Sequence, residues 1–397
     1  MLKFALKNMV VKKVQIILVV LSIVISAGIG VLAFNVSNQV SDGITDNAGY
    51  YSAIIGPSGS ETQLAMNTMY FAEEPLGTIP YSVVSMLMQD QRVREAIPFA
   101  MADSYNGFSV VGTTSSYIVE KELKAGTLFD DSLTMQAVVG YNVAKYNDLK
   151  IGDIIYTSHS AGGTDTHTQG ITVVGILKES HSSFDNVVFT EIRTLWEMHN
   201  HENEGAEHEG HSHATVCAVL VKAKNDAYAG QIVSEYDDKI ITDEHDETHT
   251  LQAIVPMHAV RGVLNDANNT KYIVFVLCAV ILIMNIMIIS IITLLNMYHS
   301  SKEISLMRLI GISMGKINLL YIIQNSIIGF ASTVLAFGIS RLCLLFMSDF
   351  VATYGVVLNM GKIYPLEIVI LLGVFIISVL PTAIWTLIMS RKDSISD

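Results

Sequence analysis

The residues with the clearest chemical potential lie in one short stretch, HNHENEGAEHEGHSH, which runs from His199 to His213. It holds five histidines and four glutamates within fifteen residues. Imidazole nitrogens and carboxylate oxygens are donors that suit Zn²⁺, and also Ni²⁺ and Cu²⁺. We therefore predict that Zn²⁺ or another divalent transition metal binds through His199, His201, His208, His211 and His213. The alternative is a solvated acidic insertion that holds no metal.

Catalytic chemistry is not expected in this chain. His208 and His211 are one residue too close for the His-Glu-x-x-His motif of metalloproteases, and His245 to His249 has an aspartate where that motif needs glutamate. We interpret the second segment as a solvated acidic loop. The sequence contains no Gly-x-Ser-x-Gly elbow and no plausible cysteine nucleophile, so we predict that the chain is not an enzyme.

The chain that carries the histidine tract is unusually apolar. Its composition is 51% hydrophobic and its mean hydropathy is +0.44. Four stretches are long enough to cross a bilayer, which takes about 20 mostly apolar residues. These stretches are Val14–Phe34, Tyr272–Asn296, Ile317–Phe346 and Pro365–Met389. Their polar residues are few and mostly neutral, and Arg341 lies near one end, where we expect it to reach the headgroups.

The distribution of lysine and arginine predicts the orientation in the cell (cytoplasmic) membrane. Basic residues precede the first span, lie between the second and third, and follow the fourth. We therefore predict that both termini are cytoplasmic and that residues 35–271 are extracytoplasmic. That segment holds 32 acidic residues against 13 basic ones and eleven of the twelve histidines. Such a charge balance argues against nucleic acid as a partner.

The outer segment shows alternating or β-branched runs separated by Gly, Asp and Ser clusters, which is typical of strands and turns. These runs are 108–112, 137–140, 154–157, 171–177, 186–190 and 216–221. Helical patterns occur at 81–90 and 190–198. We predict an α+β domain with a second lobe around 191–250. The apolar spacing continues from the first span through Ile44 and from Pro256 into the second, which predicts extended helical stalks beyond the membrane.

The predicted organisation therefore has seven parts. They are a cytoplasmic start with the first span (1–35), the extracytoplasmic domain (36–255), a stalk with the second span (256–297), a cytoplasmic loop (298–316), the third span (317–347), an outer loop (348–364), and the fourth span with its tail (365–397).

The cytoplasmic loop, SSKEISLMRLIGISMGKI, is the most informative stretch. Ser300 and Glu303 form a Ser-x-x-Glu capping box, which predicts that a helix begins there. Gly311 is placed to end that helix in a left-handed turn. A short capped helix with an apolar face, presenting Arg308 to solvent, suits a docking role. The alternative is an ordinary helix that lies on the membrane.

At these residues the chain resembles the MacB/FtsX-type permease superfamily of ABC transporters. The pattern K-E-I-x-L-M-R-L-I-G-I-S is similar to the cytoplasmic signature of that group. The order of one span, a large outer domain and three further spans also matches. The segments LKIGDIIY and ITVVGILKESHSSFDNVVFT resemble the porter-type lobe of its outer domain. The 199–213 insertion has no clear counterpart there.

The resemblance implies a homodimeric, MacB-like permease that works in the membrane lipid with a separate ABC ATPase. The sequence contains no Gly-x4-Gly-Lys-Ser/Thr phosphate loop, so ATP is expected to bind to the partner subunit. In relatives the capped helix docks on the ATPase, which makes Glu303, Met307, Arg308 and Gly311 the candidate coupling residues. The resemblance also implies that motion, rather than a solute, passes through the membrane.

The function we expect is transport linked to zinc or another metal, with an extracytoplasmic binding protein or lipoprotein as a further partner. Two alternatives remain open. One is an FtsX-like signalling protein that activates an extracellular hydrolase, and the other is a lipoprotein-releasing permease.

Overall fold

The fold is seen in a computed structural model, which describes residues 7, 9–159, 166–203, 214–243, 246–299, 307–352 and 357–393. The chain divides into two compact units. One comprises Met1–Gln39, Ala267–Ser348 and Asn359–Asp397, and the other comprises Val40–Asp266 and Asp349–Leu358.

The first unit is built from long apolar helices. These are α1 (Lys13–Ala48), α8 (Arg261–His299), α9 (Met314–Ala352) and α10 (Pro365–Asp393), of which α1, α8 and α9 each have residues in the other unit. Among the residues that the structure describes, three segments are long and apolar enough to cross a membrane, namely Lys13–Thr45, Met314–Ser348 and Pro365–Ile384. The predicted second span lies in α8, where the described apolar part is the shorter segment Tyr272–Ile288. Four spans and helical stalks therefore stay predictions.

Small residues let these helices approach closely. A Cβ added at Gly28 would lie 3.5 Å from the carbonyl oxygen of Ala336, and one added at Gly30 would lie 3.4 Å from Cys278 Sγ. Asn325 on α9 donates a hydrogen bond to the hydroxyl of Thr382 on α10. Close backbone approach and side-chain hydrogen bonds are the usual means by which membrane helices associate.

Arg341, which we expected near the headgroups, has partners within the protein. Its guanidinium forms an ion pair with the fully buried carboxylate of Glu367 on α10 and donates to the carbonyl of Lys362 at 3.0 Å. Asn35 on α1 donates to the same carboxylate. Glu367, two residues into the apolar stretch, thus supplies a charge that pairs with the arginine. The position of Arg341 relative to the headgroups stays a prediction.

The second unit is an α+β domain around one large sheet. Its strands are β1 (Ala53–Pro57), β3 (Val93–Tyr105), β4 (Phe108–Thr113), β5 (Leu123–Gly126), β6 (Gln136–Val139), β7 (Ile154–Ile155), β8 (Ile171–Leu177), β9 (Val187–Glu191), β11 (Ala218–Ala223), β12 (Ile240–Thr242) and β13 (Thr248–Ile254). The strand order is β12-β13-β1-β11-β3-β4-β9-β6-β8-β5, with β7 paired to β8. The short strands β2 (Ile79–Pro80) and β10 (Thr215–Val216) pair separately.

Helices cover this sheet. They are α2 (Glu61–Tyr70), α3 (Ser82–Gln89), α4 (Tyr141–Tyr146), α5 (Ile192–Asn203), α6 (Ala229–Tyr236) and α7 (Pro256–Ala259). The strand and helix patterns read from the sequence all correspond to elements of the fold. The helix predicted to start at Pro256 is interrupted, because α7 ends at Ala259 and α8 begins at Arg261.

Strands within the range predicted as a second lobe, 191–250, pair with strands outside that range. Strand β1 pairs with both β11 and β13, and β3 pairs with β11. Strands before position 106 therefore form one part of the sheet together with strands that follow position 217. The sequence pattern could not show this because strand partners distant in sequence leave no local signal. The two halves of the sheet join where β3 pairs with β4.

Candidate functional site

The candidate site begins with Asp103, near the end of β3. The register between β3 and β4 shifts between Met101 and Asp103, so that Ala102 is an extra residue in β3. Such a bulge alters the alternation of side chains between the two faces of a sheet. As a result Asp103 and Ser104 are both buried, and the carboxylate of Asp103 has no exposed area.

Two histidines are attached to this end of β3 through the backbone. Ser104 and Ser158 exchange hydrogen bonds, from Ser104 N to Ser158 O at 2.8 Å and from Ser158 N to Ser104 O at 2.9 Å. His159 follows directly. The amide of His167 donates to the carbonyl of Thr157 at 2.9 Å, which ties the second histidine to the same segment.

The third histidine, His199, comes from helix α5. Leu195 and Met198 on this helix are buried, and the helix packs against β3, β4 and β9. His199 itself is about one-third exposed and borders a cavity of about 210 Å³. The cavity is also lined by Thr78, Ala100, Ala102, Leu195, Trp196, Thr215 and Cys217.

The three imidazoles surround the one carboxylate. Oδ1 of Asp103 lies 3.2 Å from Nε2 of His199 and 3.6 Å from Nδ1 of His159, and Oδ2 lies 3.1 Å from Nε2 of His167. The ring centroids of the three histidines are 4.5 to 5.2 Å apart. One donor atom from each of the four residues lies within 4.8 Å of the others.

The carboxylate is stabilised in its charged form. Burial by itself would raise the pKa of Asp103, but the hydrogen bond and charge of His199 and those of His167 outweigh it, so the pKa lies below its ordinary value. The hydroxyl of Thr157 also donates to Oδ2 at 3.1 Å. Three imidazoles and one carboxylate, with no cysteine, form a donor set that suits Zn²⁺ and other divalent transition metals.

The structure brings one of the five sequence-predicted metal ligands, His199, into this cluster. His201 lies in the last turn of α5, and its side chain is outside the described part, as are His208, His211 and His213 altogether. Metal binding by those four stays a prediction. Asp103, His159 and His167 were missed. The pair of histidines in HSAGGTDTH was a usable signal, whereas Asp103 is a single acid in an apolar strand.

A second group, made of Asp243, Glu247 and His249, lies at the turn between β12 and β13. Nε2 of His249 is 3.2 Å from Oδ2 of Asp243. His249 belongs to strand β13, so this segment is not the helix that a metalloprotease motif requires. His245 lies outside the described residues.

The loop before α9 ends as the sequence indicated. Met307 and Arg308 are helical, and Gly311 adopts a left-handed φ of 87°. Gly311 N donates to Arg308 O at 2.9 Å, and Ile312 N donates to Met307 O at 3.0 Å, which closes the helix. Leu309 and Ile310 are 82% and 80% exposed. Glu303 and the predicted capping box lie outside the described residues.

Comparison with known proteins identifies the relatives of this chain. The family model of the MacB-like periplasmic core domain matches residues 16–238. No curated protein sequence matches. One similar solved structure is the extracellular domain of the noncanonic ABC-type transporter YknZ from Gram-positive bacteria, with 15% identity, a TM-score of 0.32, and coverage of 51% of this chain and 99% of that one. Another is the periplasmic region of MacB from Actinobacillus actinomycetemcomitans, with 10% identity, a TM-score of 0.36, and coverage of 56% and 98%.

The family match spans more than half of the 397 residues, from the first apolar helix to the end of α6. It thus joins a helix able to cross a membrane to the α+β domain described above. The chain belongs to the MacB/FtsX-type family of ABC transporter permeases.

Proposed function

We propose that this chain is a permease subunit that relays the ATP-driven motion of a separate ATPase to its extracytoplasmic domain. The observation that carries the proposal is the match to the MacB-like periplasmic core domain over residues 16–238. The sequence contains no Gly-x4-Gly-Lys-Ser/Thr phosphate loop. In this proposal a separate subunit supplies ATP hydrolysis, and a homodimer provides two copies of the docking segment.

The docking segment is the loop before α9. Its exposed neighbours Leu309 and Ile310 offer an apolar surface beside Arg308, and the turn at Gly311 sets the direction in which α9 leaves it. An apolar centre with a charged rim suits a protein interface. Glu303, Met307, Arg308 and Gly311 are the residues proposed to transmit force between the ATPase and α9.

Motion, rather than a transported solute, passes through the bilayer in this proposal. Proton or ion paths usually carry ionisable groups along the membrane interior. Among the described residues of α9 and α10, the buried charges of Arg341 and Glu367 are paired with each other. The contacts of α1 with α9 at Gly28 and with α8 at Gly30 favour helices that move as packed bodies.

The substrate class we propose is metal-linked, with zinc as the first candidate. The extracytoplasmic domain is acidic and holds the histidine tract, and Asp103 with three imidazoles forms a donor set for a transition metal. Handling a metal-loaded protein or lipoprotein outside the membrane fits both the family and this composition.

The test is reconstitution in nanodiscs of the purified chain with its cognate ATPase, followed by measurement of ATP hydrolysis. The chain alone should hydrolyse no ATP, and adding it to the ATPase should raise the ATPase rate. Hydrolysis by the chain alone would contradict the proposal. Growth of a strain lacking the chain, compared at low, normal and high zinc, tests the metal-linked part, which fails if growth never differs from the parent.

A further inference from the structure

We propose that Asp103, His159, His167 and His199 form a preformed site for a single Zn²⁺ ion. The site lies in the body of the α+β domain and shares only His199 with the histidine tract. This inference deepens the metal-linked part of the proposed function. Its biological use rests on that function, but binding of the ion does not require the ATPase.

The distances match the requirements of a tetrahedral ion. Ligand atoms about 2.0–2.1 Å from Zn²⁺ at tetrahedral angles lie roughly 3.3 Å from one another. The carboxylate-to-imidazole distances are 3.2 and 3.6 Å from Oδ1 of Asp103 and 3.1 Å from Oδ2. One donor atom from each of the four residues lies within 4.8 Å of the others, so shifts of the side chains would bring them to the spacing that zinc needs.

Charge also favours a metal over an arrangement of ion pairs. A fully buried carboxylate needs a positive partner, because removing a charge from water costs several kcal/mol. One protonated imidazole would satisfy that need. The structure instead places three imidazoles around Asp103, with ring centroids as close as 4.5 Å, where several positive rings would repel one another. A divalent ion uses all three as neutral donors and balances the carboxylate.

The four ligands are held by parts of the fold that do not depend on the ion. The bulge at Ala102 buries Asp103, and backbone hydrogen bonds fix the segments that carry His159 and His167. Thr157 donates to Asp103 Oδ2, which is the kind of supporting contact that orients a metal ligand. Such preorganisation distinguishes this site from a run of histidines on a glycine-containing stretch.

The donor set also determines which metals compete. Imidazole-rich sites without cysteine select Zn²⁺, Ni²⁺, Cu²⁺ or Co²⁺ over Mg²⁺ and Ca²⁺, which prefer oxygen ligands. His159 and His199 are 41% and 34% exposed, and His199 borders the cavity of about 210 Å³. An ion can therefore reach the site from solvent while Asp103 and His167 stay buried.

The experiment measures zinc binding to the full chain in nanodiscs after the metal has been stripped with a chelator. Competition with a chromophoric chelator gives the affinity, and elemental analysis gives the stoichiometry. We expect one tight site in the wild type. His167→Ala, His199→Ala and Asp103→Asn should each weaken it more than about 100-fold, because loss of even a supporting residue costs 10–100-fold.

Two control variants make the outcome specific. One replaces His201, His208, His211 and His213 with alanine but keeps His199, and the other is His249→Ala. Both should retain the tight site. The proposal is overturned if the tract variant abolishes tight binding, or if all three cluster variants keep it. Because His199 is partly exposed, its replacement is the variant least prone to misfold, and circular dichroism checks the fold of each.

The result separates this proposal from the proposed function. Tight zinc binding with no stimulation of the cognate ATPase would support the site and contradict the permease role. Stimulation of the ATPase without tight zinc binding would support the permease role and contradict the zinc site. Absorption of bound Co²⁺ provides an independent readout, since four-coordinate cobalt absorbs visible light far more strongly than six-coordinate cobalt.

Discussion

Nε2 of His167 lies 3.1 Å from Oδ2 of Asp103, and both side chains are almost completely shielded from solvent. The two residues belong to different parts of the chain and meet because the segment 157–159 pairs with the end of β3. The proposed metal site is therefore built around a buried carboxylate and shares only His199 with the histidine tract. We therefore expect metal binding at this cluster to affect the stability of the domain.

Zinc should stabilise the extracytoplasmic domain through this cluster. A ligand at 100 times its dissociation constant adds about 2.7 kcal/mol to the free energy of unfolding when it binds the folded state alone. We expect the melting temperature of the full chain in micelles to rise with Zn²⁺ and to fall again with a chelator. His199→Ala should remove this shift, whereas His249→Ala should keep it. An equal shift in wild type and His199→Ala would contradict the prediction.

Coupling to the ATPase should depend on the loop before α9. Glu303→Ala combined with Arg308→Ala should lower stimulation of the cognate ATPase severalfold, because both changes remove charges from the proposed interface. Insertion in the membrane and zinc binding should stay unchanged. Lys316→Ala, a nearby charge at the start of α9, is the matched control. The docking role would be refuted if the double variant stimulated the ATPase as well as that control does.

The ion pair between Arg341 and Glu367 should stabilise the folded protein, so that losing one partner costs more than losing both. Breaking a buried ion pair leaves an uncompensated charge and typically costs about 3–5 kcal/mol. Glu367→Gln should therefore lower the free energy of unfolding in micelles, and adding Arg341→Met should restore part of the loss. The measurement is unfolding by a chemical denaturant in mixed micelles. Comparing the wild type, each single variant and the double variant in a double-mutant cycle gives the coupling energy. Strictly additive effects would mean that the pair has no stabilising interaction.

Gly140 occupies a position where no side chain fits. A Cβ there would contact the carbonyl oxygen of Phe184 and lie 2.5 Å from that of Asp185, and neither backbone group is free to move far. Gly140→Ala should lower the free energy of unfolding by about 1–3 kcal/mol, as overpacking usually does. Gly230→Ala provides the opposite control. It lies in helix α6 with no atom within 4 Å of the added Cβ, so it should raise stability slightly.

Asp90 should contribute stability that depends on pH. Arg92 donates to its carboxylate at 2.6 and 3.0 Å, and these hydrogen bonds hold the pKa of Asp90 below its ordinary value of 3.8. A lowered folded-state pKa means that the stabilisation is present above 3.8 and is lost as pH falls through the folded value. Asp90→Asn should therefore cost up to about 1 kcal/mol at pH 7 and progressively less below pH 4.

The Asp90 prediction is checked by urea unfolding of the wild type and of Asp90→Asn at pH 7, 5 and 3.5. Glu122→Gln is the control, because its partner Lys178 and Glu122 itself are largely exposed. That control should leave stability unchanged at each pH. A difference between wild type and Asp90→Asn that did not vary with pH would contradict the assigned role of the carboxylate.

Local pattern was enough to predict most elements of this fold. The runs at 108–112 and 171–177 form β4 and β8, and the helical spacing at 81–90 forms α3. The left-handed turn at Gly311 was predicted from the position of a glycine at the end of a helix. These features depend on contacts between residues that are near in sequence, so a short window contains the information.

The sequence by itself determined the membrane character, the α+β domain and the family, because hydropathy, alternation and a loop signature are all local properties. Only the tertiary structure decided that the sheet is completed by strands from both ends of the domain. It alone paired Arg341 with Glu367 and gathered Asp103, His159, His167 and His199. These residues meet through packing and strand pairing across long stretches of chain, and such pairings leave no trace in the spacing of neighbouring residues.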